Sequence, residues 1–168
     1  MTTKRKPARR TAEDYASQIK EELKDAWLPT IYVERVRKVR TRSYTFEGSP
    51  GKSQVEIQHT LLGVELKAGR RRMLCPDLAT ARYLSVFARA GCKQVAVPYD
   101  ITRISQLADQ LDSSWHRALL LADHLTQDVP GLQPRVRKVL IQKIRDEIEN
   151  AGAGPAAPTF KQSTKQRT

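Results

Sequence analysis

The chain has 168 residues, 39% hydrophobic and 29% charged, and a formal net charge of +12. That length suits one domain with extended ends, and the apolar content is enough for a core, which excludes a wholly disordered chain. The longest apolar run, Ala118 to Ala122, is far short of the about 20 residues a membrane span needs. No apolar stretch follows the basic start Lys4-Arg5-Lys6, so a secretory signal is not expected and a cytoplasmic protein is.

The charge is concentrated at the ends. Residues 1–10 carry five cations (Lys4, Arg5, Lys6, Arg9 and Arg10), residues 151–168 carry three (Lys161, Lys165 and Arg167), and neither segment has an acid. Residues 11–150 hold 22 basic and 18 acidic residues. The pattern predicts a basic disordered arm (1–10), a single domain (11–150) and a disordered basic tail (151–168), the ends steering the protein to phosphate backbones. Cys75 and Cys92, without a CxxC pair, read as reduced and buried; a metal site on them is not expected.

In chain order, Thr11 and Asp14 form a capping box ahead of a helical stripe through Tyr15, Ile19, Leu23 and Trp27, which Pro29 is expected to end. Residues 31–46 mix two periodicities and predict an extended segment over about 40–46. Residues 47–51 read as a loop. Val55, Ile57, His59 and Leu61 alternate as a strand, with a bulge expected at Gly63 and His59 expected in the core. Ala68-Gly69 predicts a hairpin turn and residues 70–74 the returning strand. Asp77 and Gly91 bracket a helix, and residues 94–98 a buried strand, so that strand, helix and strand predict a crossover with a parallel pair. A long helix from Asp100 or Thr102 carries a stripe from Ile104 to Ala122, and a last helix spans about 134–150. The fold expected is α/β or α+β, with a small mixed sheet, an N-terminal helix and two C-terminal helices.

Two basic clusters carry the functional reading. Arg35, Arg37, Lys38, Arg40 and Arg42 stand beside Tyr32, Tyr44 and Phe46; Lys67, Arg70, Arg71 and Arg72 flank the predicted hairpin. Guanidinium groups pair with phosphate oxygens and exposed aromatics stack on bases, so both clusters point to a non-catalytic nucleic-acid-binding protein that needs no cofactor. Gly51-Lys52-Ser53 is not a phosphate-binding loop: its first glycine would fall at Phe46, and a strand follows. Asp109, Asp112 and His116 read as a polar helix face, and the stripe from residue 103 to 125 as core, or as a seat for a protein partner or a second copy of the chain.

Glu65-Leu66-Lys67 places an acid and a lysine on one face of a strand. It resembles the ExK element of the PD-(D/E)xK nucleases, and the helix and strand that follow resemble those of Holliday-junction resolvases in that superfamily. The resemblance covers about 35 residues. It implies a metal-dependent nuclease using Mg²⁺, with Glu65 and Lys67 in the site. The family's preceding aspartate has no counterpart; Glu56 is the nearest acid upstream, and Glu21 or Glu22 takes the place of the helical acid. The third alternative is a structural or assembly subunit.

Overall fold

The computed structural model describes residues 10–46 and 54–154. Most of both predicted tails, and the 47–51 loop with Lys52 and Ser53, lie outside the described residues. The fold is α+β. It comprises α1 (Ala12–Leu23), a 3₁₀ turn (Lys24–Ala26), α2 (Leu28–Ile31), a π-helical turn (Tyr32–Val36), β1 (Thr41–Thr45), β2 (Val55–Thr60), β3 (Gly63–Ala68), β4 (Arg71–Cys75), α3 (Leu78–Ala90), β5 (Gln94–Pro98), α4 (Ile101–Leu125) and α5 (Gln133–Ala151). No helix among the described residues is long and apolar enough to cross a membrane.

Local chemistry sets most ends. Thr11 and Asp14 close the capping box of α1, and Asp77 caps α3 through the Thr80 amide. Gly91, with φ 79°, closes α3 in the left-handed region. The first helix ends earlier than its stripe suggested. The chain breaks at Lys24 (φ 48°) and restarts at Leu28, so Pro29 opens α2 instead of closing α1. Trp27 is buried at that corner, its indole N–H donating to Glu147 Oε1 at 3.2 Å. The turn is therefore a core anchor.

β2, β3 and β4 form an antiparallel meander, and β1 pairs antiparallel with β5 in a separate two-stranded sheet. The mixed sheet expected is therefore two antiparallel ones. The bulge at Gly63 is instead a reversal: Thr60 faces Gly63 across the two-residue turn Leu61-Leu62, and the Thr60 hydroxyl accepts the Leu62 N–H at 3.2 Å. The β3–β4 turn is the predicted hairpin. Gly69, φ 63°, occupies its first central position, where a primed turn needs a left-handed backbone.

The expected parallel crossover is absent because β5 has other partners. Facing residues of an antiparallel pair point their backbone groups alternately toward and away from the neighbour. Ala96 points away from β1: its N–H goes to the Tyr32 hydroxyl (2.9 Å), and its carbonyl accepts the Tyr83 hydroxyl (2.6 Å). Two buried tyrosines thus satisfy the edge where a parallel strand would add. Tyr32 in turn donates to the Gly152 carbonyl at 2.7 Å, so the ordered chain continues past 150, into the segment expected to be tail.

α3 lies between the three-stranded sheet and α4, while α1 packs on α4 and α5. The inward sheet face is Ile57, Val64, Leu66 and Met73, with Leu66 at its centre. The α4 stripe, Trp115 included, is buried in this core, so it offers no free face to a partner helix or second copy.

Candidate nucleic-acid interface

The first basic cluster leaves the π-helical turn and runs into β1, and the fold engages most of it. Arg37 donates from Nε to the Ala151 carbonyl (3.2 Å) and from Nη1 to the Gly154 carbonyl (2.6 Å), satisfying acceptors at the end of α5. Lys38 pairs with Glu34 at 2.6 Å, one turn away on the exposed surface. Arg35 bonds the Gln110 side chain, and the Arg40 guanidinium stacks over Tyr99 at 5.3 Å. Arg42 is exposed, with no ion pair among the described residues. Of the neighbouring aromatics, Tyr32 is fully buried and so unavailable for stacking, while Tyr44 and Phe46 pack edge-on at 5.1 Å, both half-buried.

The second cluster forms no ion pair among the described residues, although Glu56 faces Lys67 across the sheet. Lys67 ends the outward row of β3, Arg70 sits in the turn, and Arg71 and Arg72 begin β4. All three arginines are exposed, and none of the four cations forms an ion pair among the described residues. With α3 packed on the inward face of the meander, Lys67 and Arg72 face each other on its outward side, while Arg71 stands opposite Ala68 in the inward row, exposed at the end of a braced hairpin.

The strand register brings the nuclease-like residues together on the outward face. Glu56 stands directly opposite Lys67, and Glu65, two positions along, stands opposite Gln58. This face is partly exposed, and Glu56, Glu65 and Lys67 line neither of the two concave surfaces described below. Glu21 and Glu22 lie on α1, which packs on α4 and α5. Among the described residues no group of three or more His, Cys, Asp or Glu side chains is placed to hold a metal ion.

Other candidates resolve into structural roles. Asp109 pairs with Arg82, and Asp112 with Arg89 (3.0 Å) and His116 (3.5 Å), so these acids tie α4 to α3. His59 is exposed, not in the core: it sits next to the β2–β3 turn, beyond the reach of α3's cover. Both thiols are buried. Burial pushes Cys92 up to about 12, with Glu149 adding to it, and burial also raises Cys75, with Asp77 adding to it. Neither is a thiolate nucleophile at neutral pH.

Two concave surfaces were not foreseen. A groove of about 1440 Å³ runs between α1 and α5, with Arg10, Arg135, Lys138 and Lys143 among its lining and Glu13, Asp146 and Glu147 beside them. The α5 part of this lining was readable as cations at helical spacing, at 135, 138 and 143. A second cleft, about 410 Å³, opens between β1, the end of β4 and α3. Its lining comes from four separate segments, so no local signal marked it.

Comparison of the chain with family models, curated proteins and solved structures finds no match. The class stands on the fold alone: an α+β protein with two small antiparallel sheets and a basic hairpin.

Proposed function

We propose that this protein binds nucleic acid without catalysing a reaction, gripping the phosphate backbone with the β3–β4 hairpin. The observation that carries the reading is the run Lys67, Arg70, Arg71 and Arg72, free of ion pairs among the described residues on a braced hairpin. Unpaired guanidinium groups are available for charge-assisted bonds to phosphate without first breaking an internal pair. Arg42 and the cations of both chain ends add to the same attraction. The test is fluorescence anisotropy of a labelled oligonucleotide between about 50 and 200 mM salt. Affinity falls steeply with salt, and Arg70→Ala/Arg71→Ala/Arg72→Ala weakens it and flattens the salt slope. Binding that ignores salt, or survives the triple change intact, removes the basis of the reading.

One observation favours a second reading, a metal-dependent nuclease: Glu56, Glu65 and Lys67 share one open sheet face. Mg²⁺ is commonly held by one or two carboxylates with water in the remaining positions, a set that Glu56 and Glu65 can supply. Cleavage of DNA in Mg²⁺ or Mn²⁺ that is lost in Glu65→Ala and in Lys67→Ala is its signature. Cleavage that persists in both variants rules out this site.

A further inference from the structure

The 410 Å³ cleft lies beside the hairpin and differs from it in chemistry. Tyr44, Leu74, Leu84 and Val97 make its walls apolar, Thr80 contributes a hydroxyl, and Arg42 brings in a guanidinium that no acid neutralises among the described residues. Leu74 is 62% exposed, an open apolar surface at the rim. A mostly apolar cleft with one free cation suits a flat, weakly polar group joined to an anion. An unpaired nucleobase with its phosphate has that character, since its faces stack on aromatic and apolar side chains while its backbone is charged.

The cleft and the basic hairpin share strand β4. Leu74 and Arg72 are two positions apart on β4 and share a face, about 7 Å from one another along the strand. A chain with one base in the cleft therefore runs its next phosphates past Arg72 toward Arg70. A base held in a duplex enters only if it is flipped out, at the cost of unstacking and unpairing.

We propose that the cleft between β1 and β4 receives one unpaired base of a single-stranded nucleic acid, with the adjoining phosphate on Arg42. This rests on the nucleic-acid reading above and adds to it a preference for single strands. The experiment compares anisotropy titrations of a labelled single-stranded oligonucleotide and the duplex of the same sequence, for the natural chain, Arg42→Gln and Tyr44→Leu. The natural chain binds the single strand about tenfold more tightly, a ratio within the range of one base–aromatic stacking contact. Both variants bring that ratio close to unity by weakening the single strand, and Tyr44→Leu does so with duplex binding nearly unchanged. Adenosine monophosphate, titrated against isotope-labelled protein, shifts the amide signals of Thr80, Leu84 and Val97. Equal affinity for both forms, or shifts confined to the α1–α5 groove, overturns the cleft and leaves the hairpin reading standing. Absence of binding to either form overturns both.

Discussion

Residues 35–42 hold five cations in eight positions and residues 67–72 hold four in six, so by sequence the two segments are near equals. Tertiary structure separates them. Arg37 holds the end of α5, Lys38 answers Glu34, Arg40 covers Tyr99 and Arg35 reaches Gln110. The first segment is therefore mostly a clasp between the π-helical turn and the C-terminal helix. The second is a hairpin whose inward face packs on α3 and whose arginines form no ion pair among the described residues, while Lys67 has a facing glutamate. A guanidinium already bonded to carbonyls must give those bonds up before it can serve a phosphate, and an unengaged one need not.

Removing what holds the clasp is the most severe way to break this contrast. Tyr32→Ala deletes a buried ring and strands the Ala96 N–H and Gly152 carbonyl, and we expect a loss of about 3–5 kcal/mol. Urea unfolding measures it; a midpoint unmoved by the change contradicts the network. Next comes the hairpin triple variant Arg70→Ala/Arg71→Ala/Arg72→Ala. Its oligonucleotide affinity drops about tenfold to a hundredfold and its log–log salt slope shrinks by about 2 to 3, with the thermal midpoint held. A fall in stability as large as the fall in affinity erases the distinction between the two clusters.

Arg37→Ala is expected to do the reverse. It costs about 1–2 kcal/mol of stability through two lost charge-assisted bonds, discounted for partial exposure, and leaves affinity within about twofold. Hydrogen exchange localises the effect to the last turn of α5, and protection there that equals the natural chain's counts against the clasp. Smallest is Lys38→Ala, an exposed one-turn pair, at under about 1 kcal/mol and indistinguishable from the natural chain in binding. A large change in either quantity shows that the pair does more than its geometry indicates.

Much of the fold was legible because its signals are local. Asp77 and Gly91 bracket α3, Asp100 caps α4, and Gly69 supplies the positive φ of the hairpin turn, each within a few residues of the feature it sets. The site was legible in part for the same reason: alternation along β3 put Glu65 and Lys67 on one face, and the run 70–72 followed from the turn. The reversal at Leu61-Leu62 was missed because neither leucine is a turn former. The signal there was Thr60, whose hydroxyl holds the turn, together with Gly63.

The amino-acid order alone therefore determined the start of α1, the helices α3, α4 and α5, the β3–β4 hairpin and the distribution of charge, since each depends on neighbours within one or two turns of chain. Only the tertiary structure decided that β5 joins β1, that Tyr32 and Tyr83 cap the other edge of β5, and that Arg37 belongs to α5 while Arg70–Arg72 form no ion pair among the described residues. Those outcomes depend on which donors and acceptors meet across 13 to 120 residues of chain, where burial leaves a backbone group no water to fall back on and the first well-placed partner takes it.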